Sequence, residues 1–140
     1  MTVLSTVITP RFYETDALGH INNAAIAAWF EVARVNLLES LSDSSGSATH
    51  WVLASLHIDF VAETLYGSDV IADVTSIKPG NSSLTVVCDM RQNGNLTVTG
   101  TAVLVHLGAG SKTSAPMPAV LRSRLNEVIQ SLPAAETVSG

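Results

Sequence analysis

The sequence predicts an α+β protein in which one long helix is wrapped by an antiparallel sheet of five strands. A helix-length stretch at residues 26–41 is strongly apolar and contains no glycine or proline. Short segments rich in β-branched residues follow it, and turn signals separate them, as expected for consecutive hairpins. With 140 residues, of which 46% are apolar types, the chain is long enough for one domain with a substantial core. We expect that domain to span residues 1–132 and residues 133–140 to form a disordered tail.

The first strand and the helix are predicted from local patterns. Residues 3–10 alternate in character, contain several β-branched types and end at Pro10, which favours a strand that stops there. In the helix, apolar side chains recur at spacings of three and four residues and form one continuous face. The members of that face are Ile26, Phe30, Ala33, Leu37 and Leu41.

Four more strands are predicted after a Ser/Gly-rich loop at residues 42–49. They are a strand that begins within residues 50–65, and strands over residues 68–77, 82–91 and 96–107. The sequences KPGN at residues 78–81 and QNGN at residues 92–95 are typical of tight turns, so the last three strands form a meander. Residues 119–132 have the spacing of a short amphipathic helix.

Charge and composition exclude several classes of protein. The net charge of −5, with only seven lysines and arginines, argues against nucleic-acid binding, which needs clustered cations. No run of 18 apolar residues is present, so we expect no membrane span. The amino terminus has no basic segment followed by an apolar one, so a signal peptide is not predicted and we expect a cytoplasmic protein.

Two further compositional features bear on assembly and redox chemistry. Charged residues make up only 14% of the chain, which leaves little material to cover a monomer, so we expect a homodimer or homotetramer. Cys88 is the single cysteine, so an internal disulfide is excluded, and its place in an alternating strand pattern predicts a buried apolar role.

The densest polar cluster stands directly before the long helix, in TDALGHINNAA at residues 15–25. Either Asn22 or Asn23 can cap the helix, and Gly19 can permit a tight turn. One cap needs one side chain, however, and this segment supplies more polar groups than capping requires. Unpaired backbone amides and the positive end of the helix dipole lie at the same place, where they favour a developing oxyanion.

This arrangement suits attack on an acyl carbonyl. Asp16 can either attack the carbonyl carbon or deprotonate a water, while amides near Asn23 and Ala24 hold the carbonyl oxygen. A thioester fits such modest machinery because a thiolate leaves without much help from an acid. A G-x-S-x-G motif is absent from the sequence, which disfavours the serine route of α/β-hydrolases.

The stretch RFYETDALGHINNAAIAAWFEVAR, at residues 11–34, resembles the signature of hot-dog-fold acyl-CoA thioesterases of the 4-hydroxybenzoyl-CoA thioesterase type. The matching residues are Asp16, Gly19, His20, Asn22, Asn23, Trp29, Glu31 and Arg34. The resemblance implies a helix wrapped by a curved sheet, dimers that pair their sheets, and active sites at the dimer interface. It also implies that Asp16 is the essential carboxylate and that the amide of Asn23 polarises the thioester carbonyl.

The chain departs from that signature at two points. Many relatives carry tyrosine where Ile26 stands, and another branch carries histidine where Asn23 stands. His20 is similar to the histidine of the Asn-Asn branch, where it can act as a base, an orienting group or a structural hydrogen-bond partner. From the polar cluster and the resemblance together, we predict Asp16, His20 and Asn23 as catalytic residues. The predicted substrate-binding residues are Gly19, Asn22 and Ala24.

Two alternative functions compete with thioester hydrolysis. A hot-dog hydratase or dehydratase acting on enoyl or hydroxyacyl thioesters also uses an Asp and a His, usually with a proline before the His and five residues between the two. Here Asp16 and His20 are four residues apart, and Leu-Gly precedes the histidine. A non-catalytic acyl-CoA-binding module is the other alternative. The presence of Asp16 argues against it, because a sensor has no need of a carboxylate directed at the thioester.

The expected partner is an acyl-CoA or acyl-carrier thioester, and no cofactor is expected. Lys78, Arg91 and Lys112 are candidates to meet phosphates, although each is equally explained as a solubility residue. No Cys/His spacing resembles a zinc site. His57 and Asp59 alternate on one strand face, and a solvated or interface face explains them better than a metal site.

Overall fold

A computed structural model describes residues 3–41, 50–108, 110 and 112–130. The loop predicted at residues 42–49 and the tail predicted at residues 133–140 lie outside the described residues. The elements, in chain order, are strand β1 (Leu4–Ile8), a 3₁₀ turn (Phe12–Glu14), helix α1 (Asn23–Leu41), strands β2 (His50–Phe60), β3 (Val70–Pro79), β4 (Ser83–Gln92) and β5 (Asn95–Leu107), and helix α2 (Ala119–Gln130).

The five strands form one antiparallel sheet in the order β1-β3-β4-β5-β2. Strands β3, β4 and β5 make the predicted meander. The turn between β4 and β5 has positive φ at both Asn93 (53°) and Gly94 (80°), the type I′ geometry that Asn-Gly favours. This sheet with its central helix is the hot-dog fold that the resemblance implies, and the α+β prediction is confirmed.

Helix α1 packs on the sheet through the predicted apolar face, and that contact forms most of the core. Phe30 is 2% exposed and lies against Gly100 of β5. A Cβ atom added at Gly100 would come within 2.8 Å of the Phe30 ring, so the absent side chain makes room for the ring. The centre of the helix therefore sits directly on the sheet backbone.

A buried cation and a buried thiol face each other beneath α1. Cys88 of β4 is buried, and burial raises the pKa of its thiol to about 12, so the thiol stays protonated and unreactive at neutral pH. Burial also lowers the pKa of Arg34, and the nearby charge of Glu31 acts in the opposite direction. The Nη1 atom of Arg34 is buried without a hydrogen-bond partner among the described residues.

One long edge of the sheet is open. Strand β2 spans 11 residues and pairs with β5 on one side, and among the described residues no strand pairs with its other side. Long bare edges are places where another chain can add a strand. None of the helices in the described part of the chain is long and apolar enough to cross a membrane.

Candidate active site

The polar cluster forms a closed loop at residues 15–21, called here the site loop. Its ends are joined by an antiparallel bridge between Thr15 and Ile21, and the Asp16 amide donates to the carbonyl of His20 at 2.7 Å. Gly19 turns the chain with a φ of +83°, a conformation that side chains disfavour. The sequence prediction of a tight turn at Gly19 is therefore confirmed.

The carboxylate of Asp16 organises the site loop from within. Its Oδ1 atom accepts hydrogen bonds from the amides of Leu18 at 2.8 Å and His20 at 3.0 Å. The side chain is exposed at the surface of the loop. Within the described part of the chain, Oδ2 accepts no hydrogen bond, so one oxygen is structural and the other is available for chemistry.

Helix α1 begins at Asn23, three residues before the stretch that the sequence pattern predicts, because Asn22 caps it there. The Asn22 Oδ1 atom accepts a hydrogen bond from the Ala25 amide at 2.7 Å, and its carbonyl accepts one from the Ile26 amide at 3.3 Å. The side chain of Asn22, a predicted substrate-binding group, is thus committed to the cap. Asn23 and Ala24 are exposed residues, and their backbone amides have no partner among the described residues, as is usual in the first turn of a helix.

A second segment, residues 60–66, forms the opposite side of the site and is called here the wall segment. It is joined to the site loop by a hydrogen bond from the Ile21 amide to the Thr64 carbonyl at 2.9 Å and by a bridge between His20 and Leu65. The His20 Nε2 atom lies 3.3 Å from Glu63 Oε1. No local sequence pattern points to this segment, because it carries no motif and lies far along the chain from the site loop.

Thr64 has an unusual environment in the wall segment. The residue is 4% exposed, and its Oγ1 hydroxyl is buried without a hydrogen-bond partner among the described residues. A buried polar group without a partner costs about 1–3 kcal/mol of stability. No pattern in the sequence signals this buried hydroxyl.

A buried glutamine clamps the wall segment to the end of β4. Gln92 is 6% exposed, and its side chain accepts a hydrogen bond from the Leu65 amide at 3.0 Å. Its Nε2 atom donates to the carbonyls of Leu65 at 2.6 Å and Ser68 at 2.9 Å. Two bonds to Leu65, and a third to Ser68 just beyond the segment, fix residues 61–66, which belong to no named helix or strand.

Glu14 and Trp29 tie the site loop to the helix. The indole Nε1 of Trp29 donates to Glu14 Oε2 at 2.9 Å, and the Arg11 amide donates to Glu14 Oε1 at 2.8 Å. The Glu14 carbonyl in turn accepts from the Asn22 amide at 2.8 Å. Glu14 and Trp29 therefore hold the approach to the helix N-terminus.

The site loop, the wall segment and the start of α1 line an open cavity of about 360 Å³. Its wall is lined by Asp16, His20, Ile21, Asn23, Ile26, Phe60, Ala62, Glu63 and Thr64. All three predicted catalytic residues are in this set. The predicted substrate-binding residues Gly19, Asn22 and Ala24 are not, although the turn at Gly19 and the cap at Asn22 shape the cavity.

The candidate phosphate contacts are divided between the two ends of the sheet. Arg91 lies at the end where β2 and β4 finish and β3 and β5 begin, which is called here the site end because it carries the wall segment. Lys78 and Lys112 lie at the opposite end, called here the far end. Arg91 is therefore at the same end of the sheet as the cavity, and the two lysines are at the other end.

The described part of the chain contains no group of three or more His, Cys, Asp or Glu side chains that could hold a metal ion. His57 Nε2 and Asp59 Oδ1 are 3.1 Å apart on β2, and both side chains are exposed. These two side chains form an exposed pair on the strand.

Comparison with known proteins places this chain in a family. A sequence model of the thioesterase-like superfamily matches residues 10–125, which include the site loop, the wall segment and four of the five strands, β2 to β5. The chain belongs to the thioesterase-like superfamily. It is 29% identical over 106 residues to the uncharacterised protein YsmA of Bacillus subtilis, a match that covers 74% of this chain and 72% of that protein.

Two solved structures are similar to this chain in three dimensions. A predicted thioesterase from Bacillus stearothermophilus is 35% identical, with a TM-score of 0.79 over 88% of this chain and 93% of that one. A thioesterase from Thermus thermophilus, complexed with coenzyme A and zinc, is 29% identical, with a TM-score of 0.82 over 94% of this chain and 98% of that one. Both similarities extend over nearly the whole fold of this superfamily member.

Proposed function

We propose that this protein hydrolyses acyl-CoA thioesters to a free acid and coenzyme A. One observation carries the proposal: the carboxylate of Asp16 lines the same cavity as Asn23, the first residue of helix α1. A carboxylate with one uncommitted oxygen therefore shares a cavity with Asn23, whose backbone amide has no partner in the described structure. This pairing of a base or nucleophile with an oxyanion site is what acyl transfer requires.

In the proposed reaction the thioester oxygen accepts hydrogen bonds from the amides of Asn23 and Ala24. The positive end of the helix dipole stabilises the negative charge that develops on that oxygen. Asp16 acts in one of two ways. It deprotonates a water that adds to the carbonyl carbon, after which the C–S bond breaks and the thiolate takes up the proton. Alternatively, it attacks the carbon itself, expels the thiolate as an anhydride forms, and water then hydrolyses the anhydride.

The cavity wall and the relatives support the proposed substrate class. Ile26 and Phe60 supply apolar surface for an acyl group on the cavity wall. The Thermus thermophilus relative was solved with coenzyme A, which supports coenzyme A rather than a carrier protein as the thiol half. Arg91 is the candidate phosphate contact at the site end.

A thiol-release assay across a panel of short, long and aromatic acyl-CoA substrates tests the proposal. We expect free coenzyme A to appear at a rate proportional to the protein concentration. Enoyl-CoA substrates belong in the same panel, because loss of the enoyl absorbance without thiol release would identify a hydratase. Tight binding without either signal would identify a non-catalytic acyl-CoA-binding module.

We propose further that the working unit is a homodimer or a homotetramer. The bare edge of β2 ends at Phe60, which lines the cavity, so a strand added by a second copy would lie beside the site. Light scattering at micromolar concentration tests this assembly. A monomer that retains full turnover would contradict it and leave the proposed hydrolysis intact.

A further inference from the structure

The His20 side chain meets a second acid across the cavity. Its Nε2 atom lies 3.3 Å from Glu63 Oε1, and both residues line the cavity wall. The His20 side chain is 33% exposed, whereas that of Glu63 is 67% exposed. Two side chains from segments far apart in the chain thus meet at the place where the proposed reaction occurs.

The backbone on both sides of this pair is fixed by hydrogen bonds. The His20 amide donates to the Asp16 carboxylate at 3.0 Å, and the next residue, Ile21, donates to the Thr64 carbonyl at 2.9 Å. Residue 65, which follows Thr64, is clamped by the buried side chain of Gln92. The fold therefore holds the backbone that carries Glu63 next to the backbone that carries His20.

The chemistry of the pair determines which imidazole nitrogen holds the proton. A neutral imidazole has one N–H donor and one acceptor nitrogen, and an ionised carboxylate can only accept. A carboxylate oxygen 3.3 Å from Nε2 favours the form in which Nε2 carries the hydrogen, because the lone pair of that nitrogen would otherwise face a negative charge. In that form Nδ1 keeps its lone pair and can accept a hydrogen bond.

We propose that Glu63 is a positioning residue that holds His20 in the Nε2–H tautomer, so that Nδ1 orients the hydrolytic water by accepting its hydrogen bond. Asp16 keeps its proposed role as the base or nucleophile, and Glu63 acts only through His20. This inference rests on the proposed thioester hydrolysis. It adds a residue outside the stretch at residues 11–34 to the machinery.

The tautomer can be measured without any substrate. Long-range ¹H–¹⁵N correlation spectra of the imidazole distinguish a protonated Nε2 from a protonated Nδ1. We expect His20 of the unmodified protein to show protonated Nε2, and Glu63→Ala to lose that preference. Glu127→Ala removes the same charge from an exposed position on α2 and should leave the His20 signals unchanged. If Glu63→Ala has the His20 spectrum of the unmodified protein, the pairing is refuted.

Kinetics connect the tautomer to the reaction. We expect Glu63→Ala to lower kcat by up to about 10²-fold, the scale for a misplaced catalytic group, and to change KM little. In Glu63→Gln the amide oxygen can still accept from Nε2, so kcat should follow the population of the Nε2–H form. A kcat that is independent of that population overturns the proposal. If no acyl-CoA is hydrolysed by the unmodified protein, the proposed function fails, while the spectra still decide the pairing.

Discussion

The site end and the far end of the sheet use polar side chains in different ways. At the far end, His106 is 6% exposed, its Nδ1 donates to the Ala115 carbonyl at 3.0 Å, and its ring meets Trp51 edge to face at 5.2 Å. At the site end, Thr64 is equally buried, but its hydroxyl has no partner among the described residues. Satisfied polar groups hold a fold together, whereas a buried polar group without a partner lowers its stability.

A missing partner alone does not mark the site. Trp51 Nε1 at the far end and Arg34 Nη1 beneath α1 are also buried without partners in the described structure. Neither Trp51 nor Arg34 lines the cavity of the site, whereas Thr64 does. The combination of a cavity, an orphan hydroxyl and free helix amides is therefore what distinguishes the site end.

Aromatic side chains show the same contrast. Trp29 and Phe30 are buried in the core. By contrast, Phe12 is 75% exposed, and it meets the half-exposed ring of Tyr66 edge to face at 5.9 Å beside the site. Exposed apolar rims of this kind are typical of surfaces that a ligand or another chain covers. The contrast agrees with the proposed substrate and with the proposed second copy.

The largest effect should come from Asp16, which distinguishes chemistry from loop structure. Asp16→Asn keeps an oxygen that can accept the two loop amides but removes the charge. We expect kcat to fall by about 10²–10⁴-fold, the usual scale for a positioned acid or base, with KM little changed. Asp69→Asn is a control for the loss of charge, because Asp69 likewise accepts a hydrogen bond, from Thr9, and lies outside the cavity wall. Activity within a few-fold of normal, with weakened binding, would make Asp16 a loop residue only.

Two phenylalanines test the contrast between core and rim. Phe30→Ala should lower the free energy of unfolding by about 3–5 kcal/mol, since it leaves a cavity where the ring meets Gly100. Phe12→Ala, at an exposed ring, should cost less than about 1 kcal/mol. Urea unfolding of both variants measures the difference. A Phe30→Ala variant that is fully stable but inactive would contradict a packing role for this residue.

His106→Phe tests the far end. The substitution keeps the ring against Trp51 but removes the bond to the Ala115 carbonyl, so we expect a loss of about 1–2 kcal/mol of stability. The activity per folded molecule should be unchanged, because the far end contributes nothing to the cavity wall. A fall in kcat without loss of stability would break the comparison between the two ends.

The smallest effect is expected from Thr64→Val, which removes the orphan hydroxyl and keeps the shape. We expect the free energy of unfolding to rise by about 1 kcal/mol, because a buried group without a partner disappears. We also expect KM for acyl-CoA to rise, and Thr64→Ser should restore it. Calorimetry and steady-state kinetics measure the two quantities. A clear loss of stability would mean that the hydroxyl already has an internal partner.

Much of the fold was predictable because its signals are local. The meander of β3, β4 and β5 follows from turn chemistry such as Asn93-Gly94, and the α1 face follows from spacing along one helix. The continuous apolar stretch begins only at Ile26, and the sequence left the cap open between Asn22 and Asn23. The structure assigns that cap to Asn22.

The site was predictable on one side only. The cluster that contains Asp16 and His20 stands out because polar types crowd before an apolar helix, and a motif covers them. Glu63, Thr64 and Gln92 form the other side, and each is an ordinary polar residue in its own neighbourhood. Their roles arise from contacts with residues far away in the chain, which no local pattern records.

The sequence by itself determined the element types, the turn between β4 and β5, and the polar cluster at the mouth of α1, because backbone preferences and side-chain spacing act over a few residues. Only the tertiary structure decided that β1 lies beside β3 and that β2 occupies the opposite edge. That strand order brings the wall segment, residues 60–66, against the site loop and so forms the cavity. The physical reason is that strand order and loop contact depend on how the whole core packs, a property of the assembled chain that short stretches do not encode.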